Sequence, residues 1–341
     1  MTITVDFGPN DIVKQIEKTG IKGQHLIFID DYSSTELENI FKTAEMLEPF
    51  WRNRIPLLEG KILCTQFFQP STRTRFSHET AMFRLGGNVI TESNPLVSSA
   101  AAKGESLYDS LRVTSQYADV IVLRHPDEGV IDTIEQLGSD ASPIISGGYG
   151  NVTHPTQGLL DMYTAYRALG ADFKEMTVMI ATPDLSRARS GQSFGLGLAR
   201  MGSKLIYSGT TGLGVPPVIR AKLKAMNANF TEVNDLTIGQ HEEMLADEAV
   251  DLLYLPGCSV KKGDPGRDDF LKKMAEFYFT LEGLQKIKQK SGKTVGLMHS
   301  LPRNEGEFDF AIDASEHELY FKQIGFSVPL RMSLLANICG V

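Results

Sequence analysis

Cysteine is scarce in this chain of 341 residues: Cys64, Cys258 and Cys339 are its three. They are widely spaced and odd in number, which argues against a disulfide framework and for a reducing compartment. No CxxC pair and no His-Glu-x-x-His run occurs, so the familiar zinc-ligand spacings are missing. No stretch approaches the ~18 apolar residues of a membrane helix. Met1 to Ile12 carries Asp6 and Asp11 and no long apolar run, so no signal peptide is expected. Basic charge is also in deficit, with 34 Lys+Arg against 42 Asp+Glu and a net charge of −8. That excludes a uniformly basic nucleic-acid binder, but not a small anion held by local arginines. What remains is ordinary globular composition, 42% hydrophobic and 22% charged, enough for about two domains at roughly 150 residues each. The expectation is a soluble, cytoplasmic protein with no membrane or nucleic-acid partner.

Local patterning gives a repeated β-α-β order, the mark of a parallel sheet. Asn10 is a candidate cap for a first helix, and Leu26 to Ile29 is a short apolar strand candidate. Ser33-Ser34-Thr35-Glu36 reads as a helix start. Lys61–Phe68 predicts a strand, closed by Pro70 and followed by a helix over about 71–85. Asn88–Thr91 and Val120–Leu123 continue the pattern, with a helix from Leu107 to Tyr117 between them. His154–Leu169 predicts a helical bridge to a second half. There, strands are expected over Glu175–Ala181, Lys204–Tyr207, Asp251–Leu255 and Thr294–Met298. The closing segment Phe321–Val341 predicts an amphipathic helix with Pro329 in its first turn.

Four segments carry chemistry. Phe67-Phe68-Gln69-Pro70-Ser71-Thr72-Arg73-Thr74-Arg75 runs from a strand into a helix start. Free N–H groups and the dipole make such a start an anion site, and hydroxyls with a guanidinium suit a phosphate. It is not a Walker loop, since no GxxxxGK[ST] occurs. Read alone, it is equally a helix capped by Ser71 with two solvated arginines. Arg124-His125-Pro126 follows a strand directly, where open α/β sheets place ligands. Thr153-His154-Pro155-Thr156-Gln157 puts a possible carbonyl-polarising His one turn before Gln157. Met298-His299-Ser300-Leu301-Pro302-Arg303 ends another strand, and Pro302 is expected to leave the Leu301 region extended. Each of the last three, taken singly, reads as well as an ordinary turn.

Together, Ser-Thr-Arg-Thr-Arg, Arg-His-Pro and His-Pro-Thr-Gln resemble, in order and spacing, the aspartate/ornithine carbamoyltransferase family. The resemblance spans nearly the whole chain and is closest to the aspartate branch. It implies an α/β fold of two doubly wound parallel-sheet domains, with a C-terminal helix returning to the first. Residues 1–153 and 320–341 would bind carbamoyl phosphate, and 154–319 the amino acid. It implies that Ser71, Thr72, Arg73 and Thr74 hold the phosphate. Arg124 and His154, with Thr74, would polarise the carbamoyl oxygen, and Gln157 and the Leu301 carbonyl would orient the NH₂. Ser99 and Lys103 match positions that reach a neighbouring subunit's site, which implies a homotrimer and leaves association with regulatory chains open. Arg189 matches an arginine for the α-carboxylate, with Lys103, Leu301 and Arg303 on the same amino-acid side. Arg331 falls where the family's last helix carries an arginine. No cofactor and no metal is implied.

One segment departs from the pattern. The aspartate branch carries Arg-x-Gln after the strand matching Asp251–Leu255, to grip the side-chain carboxylate. Here Pro256-Gly257-Cys258-Ser259-Val260-Lys261-Lys262-Gly263 stands in its place. Lys261, Lys262 or Arg267 are candidates for the missing grip, or a solvated basic loop. Ser300 also replaces a usual Pro, while Arg303 favours the aspartate branch over the ornithine one. The implied activity is carbamoyl transfer from carbamoyl phosphate to an amino acid, L-aspartate first (a pyrimidine-biosynthesis step), another amine second. A catalytically silent relative is disfavoured because no phosphate ligand is missing. A nucleotide-binding dehydrogenase is disfavoured because Thr182-Pro183-Asp184 follows the strand where a glycine-rich turn belongs.

Overall fold

In the computed structural model, residues 8–98, 100–170, 172–257, 267–304 and 306–341 are described. Strands β1 (Ile62–Phe67), β2 (Asn88–Glu92), β3 (Val120–His125) and β4 (Ile144–Tyr149) form one sheet in the order β2-β1-β3-β4. Strands β5 (Thr177–Ala181), β6 (Lys204–Gly209), β7 (Phe230–Asn234), β8 (Leu252–Leu255) and β9 (Gly296–His299) form a second, ordered β7-β6-β5-β8-β9. Every ladder is parallel. Helices connect the strands: α1 (Pro9–Thr19), α2 (Ser34–Leu47), α3 (Thr72–Arg84), α4 (Pro95–Ser98), α5 (Leu107–Thr114), α6 (Val130–Leu137) and α7 (Pro155–Leu169). Then come α8 (Arg189–Met201), α9 (Pro217–Ala225), α10 (Ile238–Asp247), α11 (Arg267–Met274), α12 (Leu281–Ser291) and α13 (Tyr320–Cys339). This is the α/β architecture expected, two parallel sheets with helices.

The chain divides into two compact units, Met1–Thr156 with Gly325–Val341, and Gln157–Ile324. The borders fall inside α7 and α13. Each unit has its own core. In the first, Cys64, Ile121, Leu123 and Ile144 pack with Leu111, Ile134 and Tyr149. In the second, Met179, Ile206, Leu253 and Leu297 pack with Leu245, Leu284 and Phe279. Helices on both faces explain why Val120–Leu123 and Leu252–Tyr254 are wholly buried, continuous apolar runs.

Several local expectations change. Asn10 is not the cap of α1: Gly8 is, Pro9 fills the first turn, and the Asp11 carboxylate accepts from the Gly8 N–H. Leu26 makes only a bridge to Ile145, after which Ile29–Asp31 turns into a 3-10 helix. Ser33 does cap α2, in a reciprocal box with Glu36. Pro329 lies inside α13 and not in its first turn, because the helix already starts at Tyr320. The lost N–H at Pro329 is tolerated here within a helix whose later residues Leu330, Leu334, Leu335 and Ile338 are buried. Strands β4 and β7 were not expected. No described helix is long and apolar enough to cross a membrane. Cys64 and Cys339 are free thiols, and Cys258 lies outside the described residues.

Candidate active site

In the first unit, β1 leads through Pro70 to Ser71, which occupies the N-cap of α3 with extended backbone. The simple capping reading fails in one respect: the Ser71 side chain makes no capping hydrogen bond. No acid occupies the first turn, so the helix start keeps its positive character. Thr72 and Arg73 are exposed there, while Thr74 is buried. Two side chains one turn on bind the Thr74 carbonyl: Ser77 Oγ at 3.0 Å and His78 Nδ1 at 2.8 Å. Arg75 turns aside to Glu79, 3.7 Å away.

Arg124 lies inside β3 and not after it, because the strand extends to His125. It pairs in register with Phe67, the last residue of β1, and its carbonyl accepts from Phe68 N–H at 2.9 Å. The sheet therefore sets the arginine beside the chain that leads to Ser71. Its guanidinium is buried, donating to the Gly147 carbonyl at 2.8 Å and lying 3.4 Å from His154 Nε2. His154 Nδ1 lies 3.4 Å from Thr156 Oγ1. Thr153 holds this turn by donating to the Ile27 carbonyl at 2.9 Å. Lys103 is exposed at the end of a short 3-10 turn, Ala100–Lys103. Ser99 lies outside the described residues.

In the second unit, Gln157 sits on α7, half-buried, and its amide N–H donates to Asp161 at 2.8 Å. Arg189 opens α8, whose N-cap Ala188 supplies no side-chain hydrogen bond. Burial pulls the Arg189 guanidinium below its ordinary value. Desolvated arginine at a helix start favours an anion. Gly195 and Gly197 are helical, and Gly195 is needed for packing: a Cβ there would lie 1.9 Å from Tyr207 Oη.

Leu301 is not extended. It has φ +51° and a cis bond to Pro302, and its N–H donates to His299 Nδ1 at 2.9 Å. A short local hydrogen bond to the His ring closes this turn, so the preference of a pre-proline residue for extended backbone is overridden. Arg303 is paired with both carboxylate oxygens of Asp313 and lies 4.0 Å over the Phe310 ring. The structure thus gives Arg303 a structural partner in its own unit. Arg267 opens α11, 4.0 Å from Asp268. Lys261 and Lys262 lie outside the described residues.

The departing segment begins after β8 with Pro256 and Gly257. Gly257 N–H donates to Ser300 Oγ at 3.1 Å. A Cβ at Gly257 would stand 3.2 Å from the His299 ring and 3.3 Å from Ser300 Oγ. Ser300 and His299 therefore occupy the ground a side chain at 257 needs. Beside them is a small cavity of about 10 Å³, room for about one water, lined by Thr182, Pro256, Phe277, His299 and Glu307 among others. His299 Nε2 is 3.3 Å from Glu307, and Thr182 Oγ1 is buried with no hydrogen-bond partner among the described residues.

These features sit where open α/β sheets bind ligands, at strand carboxyl ends. Residues 24–167 match the family model described as "Aspartate/ornithine carbamoyltransferase, carbamoyl-P binding domain". The ureidoglycine carbamoyltransferase of Rubrobacter xylanophilus is 44% identical over 95% of this chain and 94% of its own.

The chain belongs to the aspartate/ornithine carbamoyltransferase family.

It is an enzyme of the carbamoyltransferase type. The aspartate carbamoyltransferase catalytic subunit of Methanothrix thermoacetophila is 36% identical, over 93% of this chain and 99% of its own. Among solved structures, the catalytic subunit of M. jannaschii aspartate transcarbamoylase matches with TM-score 0.76 and 36% identity. That match covers 93% of this chain and 99% of the other. Sequence reading did not single out the groups that hydrogen-bond to these candidates: Asp161 with its partner Tyr254, Thr156, and the Gly147 carbonyl. Asp161 had a signal: the one acid of α7, one turn after Gln157, a pair that meets at i, i+4.

Proposed function

We propose that the enzyme transfers the carbamoyl group of carbamoyl phosphate to the free amine of ureidoglycine, an α-amino acid with a neutral ureido substituent. The donor side rests on the α3 start: Ser71, Thr72, Arg73 and Thr74 take the phosphate, with Lys103 and Ser99 of a neighbouring copy in a homotrimer. The first unit is then the carbamoyl-phosphate-binding domain and the second the amino-acid-binding domain. Arg124, Thr74 and His154 meet the carbamoyl oxygen, where negative charge develops, and Gln157 and the Leu301 carbonyl orient its NH₂. Arg189 takes the α-carboxylate. The neutral amine attacks the carbonyl carbon, a C–N bond forms, and the C–O bond to phosphate breaks. The departing phosphate takes the amine proton, so atoms and charge balance without a protein nucleophile.

The observation that carries the acceptor is the wall after β8. Aspartate needs a cation for its second carboxylate, and among the described residues of this wall Gly257, with its N–H on Ser300 Oγ, supplies none. A hydroxyl, a buried Glu307 and a His suit the N–H and carbonyl groups of a ureido substituent better than a second carboxylate. The 44% identity to a ureidoglycine carbamoyltransferase supports the same reading. Aspartate is the second reading, favoured by the relatives of the aspartate branch. The test is a competition. With both amines present and ¹³C-labelled carbamoyl phosphate, label is expected in a product bearing two ureido groups on one carbon. Label only in carbamoyl aspartate overturns the proposal.

A further inference from the structure

Asp161 is fully buried in α7, and its carboxylate accepts from Gln157, Tyr254 and Gln323. Gln157 Nε2 donates to Oδ1 at 2.8 Å, Tyr254 Oη donates to Oδ2 at 2.8 Å, and Gln323 Nε2 donates to Oδ1. The three donors come from α7, β8 and α13, so the carboxylate ties three elements of one unit together. Tyr254 is wholly buried, and the hydroxyls of Ser190 and Ser300 also reach its phenol. Ser190 follows Arg189, and Ser300 carries the N–H of Gly257.

A carboxylate only accepts, so it decides which end of the Gln157 amide faces it. The NH₂ end must turn to Asp161, and Oε1 is left to point the other way. We propose that Asp161 is a positioning residue that fixes Gln157 as a hydrogen-bond acceptor for the carbamoyl NH₂. The inference rests on the carbamoyl-phosphate reading above. It explains how an amide, which can turn either face to a ligand, selects an NH₂ donor over a methyl group of the same size. Without the carboxylate, Gln157 can present its own NH₂, and donor meets donor.

The test compares carbamoyl phosphate with acetyl phosphate, which has CH₃ in place of NH₂. The readout is the ratio of their apparent affinities, the first from KM and the second from inhibition. Asp161→Leu keeps the approximate volume and removes the acceptor that holds the Gln157 NH₂. It should lower the ratio by about 10- to 100-fold, the cost of one mismatched hydrogen bond, while inhibition by inorganic phosphate stays unchanged. The double variant Asp161→Leu with Gln157→Glu restores an acceptor toward the ligand and should recover most of the ratio. A merely structural Asp161 predicts equal losses for both ligands and no recovery in the double variant, and that result overturns the proposal. If Asp161→Leu does not fold, Gln157→Glu alone serves, since position 157 is half-buried. Its carboxylate would share a proton with Asp161, so its activity should fall with rising pH where wild type does not; a wild-type profile overturns the proposal. Loss of carbamoyl transfer in wild type itself would instead sink the underlying reading, and the two failures are distinguishable.

Discussion

At the scale of the residue, the site is set by groups one turn behind those that would touch substrate. Thr74 is held by His78, whose Nδ1 binds its carbonyl at 2.8 Å. Burial, and then the Arg331 cation, push the His78 imidazole down to about 3. In the unfolded chain it titrates near ~6.5. The folded value is the lower one, so on acidification the unfolded state takes up its proton first. The stability tied to neutral His78 is therefore present above pH ~6.5 and drains as pH falls from there toward 3. His78→Gln keeps a donor for Thr74 and cannot titrate. Its denaturation midpoint should drop less than that of wild type between pH ~7 and ~5. Equal drops in urea melts would contradict this. None of it is legible in sequence, because a buried His and a surface His look alike until packing is known. Ser71, Arg124 and Gln157 were singled out by the family resemblance, and they lie at the start of α3, near the end of β3 and in the first turn of α7.

At the scale of the element, two strands escaped sequence reading, β4 and β7. β4 contains Ser146, Gly147 and Gly148. Its glycines hide the strand pattern, yet Gly147 serves there: a Cβ would stand 3.3 Å from Arg124 Cβ, and its carbonyl holds the Arg124 guanidinium. β7 lies at the sheet edge with two of its five residues exposed and none buried, so no apolar run marks it. Leu301 was misjudged because the rule for residues before proline is local, while the turn is closed by His299. The wall after β8 gives an element-scale prediction. Gly257→Ala brings a Cβ within 3.2 Å of the His299 ring and shifts the Ser300 hydroxyl. The KM for the acceptor should rise severalfold, with the KM for carbamoyl phosphate unchanged; steady-state kinetics with each substrate varied checks it. A change confined to carbamoyl phosphate would place this wall elsewhere.

At the scale of the molecule, a net charge of −8 said little, since cations matter by where they stand. Arg73 lies in the first turn of α3, Arg124 one residue before the end of β3, and Arg189 opens α8, each near a strand or helix end suited to an anion. Arg303, of equal charge, is spent on Asp313. The proposed trimer adds Lys103, exposed on its short turn. Arg73→Ala should abolish carbamoyl transfer, and so should Lys103→Ala. If sites are shared, mixing the two inactive proteins restores part of the activity, because some sites then draw neither variant residue. Activity that stays absent after mixing and refolding would count against shared sites.

The acceptor is the most exposed part of the account, and one ratio tests it. With saturating carbamoyl phosphate, kcat/KM is measured for ureidoglycine and for aspartate on the same preparation, by phosphate release. Because a buried, unpaired carboxylate costs several kcal/mol, the account predicts at least ~100-fold preference for ureidoglycine. A preference for aspartate would contradict it.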